Sequence, residues 1–259
     1  MTRIISFANQ KGGVGKTTTA INIGASLAAI KKRVLIVDLD PQGNAGTGLG
    51  FNRAQHKESV YSVLMGYSPI GKNILSTAVD NLHILPSSAE LAGAEVELLD
   101  LDNREFRLRD ALAQISNHYD YILLDCPPAL GFLTLNALAA TTDLLIPLQC
   151  EFFALEGIQH LMGAIGKIKE KWNPNLNILG VVLTMYDKRN NLSKLIEDDV
   201  RGVFGTKVFQ TIIPRSVKLS EAPSYGQPAL FYDFQSPGSQ AYLRLATEIV
   251  EAFGDKKGQ

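Results

Sequence analysis

One run near the start of the chain limits the fold more than any other: Asn9-Gln-Lys-Gly-Gly-Val-Gly-Lys-Thr-Thr-Thr19. The apolar-rich residues Ile4, Ile5, Phe7 and Ala8 precede it and read as a buried strand, and the small-residue stretch from Thr17 to about Ile30 reads as a helix. Strand, glycine-rich turn, Gly-Lys-Thr and helix is the context in which such a loop binds phosphate. Glycines let several backbone N–H groups converge on an anion, and the helix N-terminus adds unpaired donors and a partial positive charge. Lys16 adds a full charge, and the Thr17 hydroxyl is suited to ligate Mg²⁺.

The rest of the chain alternates strand and helix patterns. Val34–Val37 is a continuous apolar run ending in Asp38-Leu-Asp-Pro-Gln-Gly-Asn44, after which Gly43–Gly50 reads as a mobile loop. Further strands are expected at 82–85, 121–125, 144–148, 178–185 and 209–213. Helices are expected at 59–65, 88–117 (broken near 100–103), 132–140, 154–171, 192–204 and 236–253. Continuous apolar strands between helices argue right-handed crossovers and a doubly wound, mostly parallel α/β sheet with helices on both faces. No linker, repeat or low-complexity segment divides the 259 residues, so one domain over 1–259 is expected.

Composition bounds the partners. The net charge of −1 advertises no general affinity for nucleic acid, so any such surface has to be local. The two cysteines, Cys126 and Cys150, form no C-x-x-C pair, and a reducing cytoplasm is the expected setting. A strand pattern beginning at residue 3 leaves no expectation of a signal peptide, and no apolar run has the roughly 18–20 residues of a membrane span.

The loop departs from the common G-x-x-x-x-G-K-[ST] form: Gln10 stands where the first glycine belongs, and a second lysine, Lys11, precedes Gly12. Lys-Gly-Gly-Val-Gly-Lys-Thr-Thr resembles the deviant Walker A motif of the ParA/MinD family of P-loop ATPases. Asp38–Asn44 resembles that family's switch I, and Leu123-Leu-Asp-Cys-Pro-Pro128 its Walker B and switch II. Pro147–Gly157 and Ile212–Pro223 are similar to the chromosomal ParA (Soj) branch.

Phosphoryl transfer needs charge neutralisation, a metal and a positioned nucleophile. Lys16 and the backbone of Gly12, Gly13, Val14, Gly15, Thr17 and Thr18 are candidates for holding the phosphates of ATP. Thr17 is the candidate Mg²⁺ ligand, and Asp125 the candidate for holding a metal-bound water. Asp38 or Asp40 could order the attacking water; Asp40, in the loop, is favoured for that task, and Asp38 for a place near the metal. The resemblance implies that Lys11 reaches the phosphates held by a second subunit in an ATP-driven sandwich homodimer. It also implies non-specific binding to double-stranded DNA and stimulation of a weak ATPase by a ParB/Spo0J-type partner, hence nucleoid association in the ATP state. Met185 and Pro214 would flank the adenine.

A cationic stretch is visible without the resemblance: residues 186–218 carry seven Lys or Arg against four Asp or Glu, a net +3. By itself this stretch reads equally well as an ordinary solvated face; with the resemblance it favours DNA, and Arg189 and Arg215, then Lys218, are then the leading candidates for phosphate contacts. Three rival readings stay in view. A membrane-cycling MinD-like ATPase would end in a basic amphipathic helix, whereas the last helix here has core-like spacing. An iron-protein-like reductase would bridge a cluster through two cysteines, but Asp-Cys-Pro-Pro and Gln-Cys-Glu do not resemble such sites. A nucleotide-switched scaffold would bind ATP with negligible hydrolysis.

Overall fold

The computed structural model describes residues 2–52, 57–151 and 154–254. Phe152 and Phe153, within one of the motif stretches above, and the polar tail after Gly254 lie outside the described residues. Seven strands form one sheet: β1 (Arg3–Phe7), β2 (Val34–Asp38), β3 (Leu75–Ser76), β4 (Leu82–Leu85), β5 (Tyr121–Asp125), β6 (Asp143–Gln149) and β7 (Asn177–Thr184). Their order is β3-β4-β2-β5-β1-β6-β7, and every neighbouring pair is parallel except β3–β4. The sequence carries no warning of the two-residue β3, which is too short to hold a pattern.

Period-two side chains divide the core. Ile5, Phe7, Val34, Ile36, Tyr121 and Leu123 face one way, against α1 (Lys16–Ala29) and α11 (Pro237–Ala252). Leu35, Val37, Ile122 and Leu124 face the other, where α3 (Val60–Met65), α5 (Arg107–Ala113), α6 (Phe132–Ala140) and α7 (Ala154–Lys171) cover them. Both faces are dry, so the strands tolerate unbroken apolar runs. The chain leaves β1 toward β2 on one side, while β6 pairs on the other. This reversal opens a crevice at the carboxyl ends of the strands, the usual ligand position in such sheets.

Three expectations need correction. Residues 209–213 do not form a strand. They run beside β7 with only isolated bridges at Val208 and Pro214, because the amides of Gln210 and Thr211 turn instead to the Glu248 carboxylate (2.7 and 3.0 Å). The expected helix over 88–117 breaks where expected, near 100–103, but its two parts are short turns around α4 (Ala94–Glu97) and α5 instead of continuous helix. Leu101 is extended, Asn103 is left-handed (φ 52°), and Arg104 takes the Leu99 carbonyl. The glycine-rich stretch after Asp40 is not a plain loop: Asn44–Gly48 forms the short helix α2, for a reason that lies in Asp38. Past β7 come α8 (Asn191–Phe204), α9 (Val217–Glu221) and α10 (Ala229–Tyr232), the last two without a sequence signal. Among the described residues no helix is long and apolar enough to cross a membrane.

Candidate nucleotide-binding site

The run Asn9–Gly15 leaves β1 and turns into α1 at the crevice. Gly13 (φ 75°) and Gly15 (φ 88°) adopt left-handed backbone that other residues enter at a cost, and a Cβ on Gly12 or Gly13 would meet nothing within 4 Å. The loop therefore borders open space wide enough for a ligand to approach its main chain. α1 begins without a side-chain cap and without an acid in its first turn, so its terminal N–H groups stay available to an anion. The loop is fixed from behind: Asn9 Nδ2 donates to Pro147 O (2.8 Å), and Thr184 Oγ1 donates to Val14 O (2.8 Å).

Lys16 is buried, its Nζ folded over the loop and donating to the carbonyls of Asn9 (3.1 Å) and Lys11 (3.2 Å). Burial lowers its pKa, and the negative charge of Asp125 is the main influence opposing that. An incoming phosphate would compensate this desolvated cation.

Asp38 and Asp125 end adjacent strands in register, and both are fully buried. Asp38 Oδ1 accepts from the Asp40 amide (3.2 Å), and Oδ2 from the amides of Ala45 and Gly46 (3.1 Å each). It thus winds residues 44–48 into α2 while standing beside Asp125 in register. Burial, helped by Asp40 and resisted by those amides, raises its pKa to about 7. Among the described residues neither Asp125 oxygen has a hydrogen bond of ordinary geometry, although the Thr17 hydroxyl is close enough to act on it. Burial first, then Asp38, raises its pKa well above the carboxylate range; the nearby Thr17 hydroxyl and Lys16 act in the other direction. Such a buried carboxylate, beside a threonine hydroxyl at a phosphate loop, fits a hard divalent cation such as Mg²⁺.

A cavity of about 340 Å³ lies over the loop, bounded by Gly12–Gly13, Gly15–Thr18, Asp40, Asn44, Pro128 and Met185. Asp40 enters it from a turn held by its own Oδ1 and the Gln42 amide (2.9 Å). A second cavity of about 250 Å³ shares Gly15, Thr18 and Met185 with the first. It continues between Thr184 and Pro214–Ser216, closed by Leu219, Pro223 and Tyr242. Met185 and Pro214, expected at a purine, both line it. Met185 has φ 51°, a strained value for an unbranched residue that points its side chain between the two spaces.

Other expected residues fall elsewhere. The Lys11 ammonium lies outside the phosphate cavity, paired with the Glu151 carboxylate, whose other oxygen accepts from Gln149. Arg189 forms a two-point pair with Asp187 (3.0 and 2.8 Å), and Lys218 pairs with Glu221 (3.0 Å). Arg215 is exposed, lies near enough to Asp187 to lower its pKa, and also borders the second cavity. Three residues are not singled out by the sequence: Glu151, within the Pro147–Gly157 motif, which pairs with Lys11; Tyr242, which lines the second cavity; and Glu95, which lines neither cavity but caps α6 through the amides of Phe132 and Leu133 (2.6 and 3.2 Å). All three depend on contacts distant in sequence.

Comparison with known proteins agrees with this geometry. Residues 2–178 match a family model described as an AAA domain. The chain is 51% identical to the chromosome partitioning protein ParA of Caulobacter vibrioides, over 99% of this chain and 97% of that protein. The chain belongs to the ParA/Soj family of chromosome-partitioning ATPases. The sporulation initiation inhibitor protein Soj of Bacillus subtilis is 49% identical over 96% of this chain and 99% of that one. Among solved structures, cobyrinic acid a,c-diamide synthase of Mycobacterium smegmatis, with bound ADP and magnesium, aligns with a TM-score of 0.87 at 37% identity, covering 98% of this chain and 96% of that one. The septum site-determining protein MinD of Pyrococcus horikoshii, complexed with Mg-ADP, aligns over the full length of both chains with a TM-score of 0.83 at 27% identity.

Proposed function

We propose that residues 1–259 act as one ATPase domain that uses ATP to switch between a free form and a homodimer bound to double-stranded DNA without sequence preference, and that a ParB/Spo0J-type partner stimulates hydrolysis and resets it. The observation that carries the ATPase reading is the buried Asp125 carboxylate close to Thr17, which itself lines the cavity over the phosphate loop; Met185 borders both that cavity and the second one, which continues to Pro214. In this reading the amides of Gly12–Thr18 and the Lys16 ammonium hold the phosphates, and Met185 and Pro214 border the adenine. Thr17 and Asp125 hold Mg²⁺, which supplies charge neutralisation on the phosphate oxygens when bound. Asp40, at the mouth of the same cavity, orients the attacking water.

Lys11 completes the site of a second copy. Its partner Glu151 is a surface acid, so the pair exchanges at little cost for a phosphate contact. The cations at Arg189, Arg215 and Lys218 supply the DNA surface, and two copies in a dimer double it. Being a partitioning protein by family, the chain is expected on the nucleoid in its ATP form and in the cytoplasm otherwise.

The deciding experiment measures ATP hydrolysis and DNA retention with and without random duplex DNA and a cognate ParB-type protein. The reading expects a slow basal rate that rises when both are added, with DNA bound only in the presence of ATP. ATP binding without any hydrolysis under every combination would leave the scaffold reading instead.

A further inference from the structure

Tyr186 belongs to two parts of the molecule at once. Its main chain joins the walls of the second cavity: its amide donates to Ile213 O (3.1 Å), and its carbonyl accepts from the Arg215 amide (3.0 Å). It directly follows the left-handed Met185. Its hydroxyl, by contrast, leaves the cavity and donates to Glu197 Oε2 on α8 (2.9 Å).

Glu197 is buried, and its other oxygen accepts from Arg201 Nε (3.0 Å); Lys194 stands 3.7 Å from Oε2. Arg201 in turn reaches Phe209 O (3.3 Å) in the segment that leads to the cavity wall. Between Tyr186 and α8 lies the turn Asp187–Asn190, which carries Lys188 and Arg189. Its far end is fixed where the Asn190 side chain caps α8 by accepting from the Leu192 amide (3.0 Å). The Tyr186 hydroxyl is therefore the tie that sets the near end of this cationic turn against α8. A shift of the cavity wall at residues 185 and 213–215 has to move the turn, because Met185, Tyr186 and the turn are one continuous stretch of chain.

We propose that Tyr186 is a positioning residue which, through Glu197, couples the nucleotide cavity to the orientation of the cationic turn Asp187–Asn190. The inference rests on reading that turn as a DNA contact. A charge-assisted hydrogen bond in a buried setting has enough strength to decide between two orientations of a short turn.

The test compares Tyr186→Phe, which removes one oxygen, and Glu197→Asp, which keeps the charge but shortens the reach, with the double variant. Affinity for random duplex DNA is measured across a salt series with a non-hydrolysable ATP analogue, alongside affinity for the analogue itself. Each single variant should weaken DNA binding by about tenfold with the salt slope unchanged, since no cation is removed. Analogue affinity should stay within about twofold. The double variant should be no weaker than the worse single one, as expected of two groups acting through one contact. DNA affinity within twofold of the parent, losses that multiply in the double variant, or a parallel fall in analogue affinity would overturn the proposal. Arg189→Ala and Arg215→Ala separate the two levels. If neither alters DNA binding, the DNA-surface reading fails; if they do and Tyr186→Phe does not, only the coupling fails.

Discussion

Asp38 and Asp125 stand opposite each other at the ends of β2 and β5, equally buried but differently employed: the Asp38 carboxylate accepts three hydrogen bonds from the main chain, and among the described residues the Asp125 carboxylate accepts none from the main chain. Two carboxylates so close in a dry crevice cannot both ionise cheaply. Folded Asp38 keeps its proton up to about pH 7, whereas an unfolded aspartate releases it near ~4. The folded state thus binds the extra proton between those values, and ligand-free stability should fall as pH rises through that window and level off above it. Asp38→Asn removes this titration, so its denaturation midpoint should decline less between pH 4 and 7 than that of the parent. Paired urea titrations at several pH values give the answer; curves of equal slope would refute the assignment.

Lys11 and Glu151 form a half-exposed pair, with side chains 40% and 45% accessible, worth about 0–1 kcal/mol. Lys11→Ala should therefore leave the thermal midpoint of the isolated chain nearly unchanged. If Lys11 serves a second subunit, the same variant should lose ATP-driven dimerisation and stimulated hydrolysis, the latter by about 10³-fold or more, as for other cations supplied in trans. Glu151→Gln should act in the opposite sense and lower the ATP concentration needed for dimerisation. Sedimentation velocity over an ATP series reads both; dimers of Lys11→Ala at parental ATP concentrations would exclude the role.

The sheet and the phosphate loop were legible because local chemistry dictates them. Val34–Val37 and Tyr121–Asp125 are buried on both faces, as unbroken apolar runs in central strands require, and Gly13 and Gly15 accept the φ values their turn demands. Legibility stopped where a distant side chain decides. Nothing near residue 210 announces that Glu248 will take two amides and turn the segment off β7, and nothing in a glycine-rich stretch announces that Asp38 will wind it into α2. The cationic run from Lys188 to Lys218 was visible as an excess of charge. Its pairing was not: Arg189 and Lys218 already hold Asp187 and Glu221, while Arg215 borders the nucleotide cavity as well.

Gly50 and Gly226 touch main chain to main chain. A Cβ on Gly226 would lie 2.6 Å from Gly50 Cα, and both residues have positive φ (87° and 65°). This junction fastens the end of α2, and with it the Asp40 turn, to the segment that closes the second cavity. Gly226→Ala adds left-handed strain of about 1–2 kcal/mol and a backbone clash that no rotamer relieves, so a stability decrease above about 2 kcal/mol is expected. Gly71→Ala is the control, since its Cβ would meet nothing within 4 Å. Equal unfolding free energies for the two variants would show that the junction yields.

Asp187 restrains the cationic turn as much as Arg189 charges it. Their pair is held by two hydrogen bonds, and Arg189, then Arg215, pull the Asp187 pKa down to about 2. The acid therefore stays ionised at every working pH and cancels one of the charges offered to DNA. Asp187→Ala should strengthen ATP-dependent binding to random duplex and steepen the salt slope, because Arg189 becomes free to neutralise a phosphate. Arg215→Ala should weaken binding and reduce the slope by about one unit for each phosphate it no longer neutralises. Because Arg215 also borders the cavity, its variant needs nucleotide affinity measured beside DNA affinity, whereas Asp187→Ala should leave nucleotide affinity alone. Weaker DNA binding by Asp187→Ala at matched nucleotide saturation would mean that the acid aims Arg189 at DNA instead of withholding it.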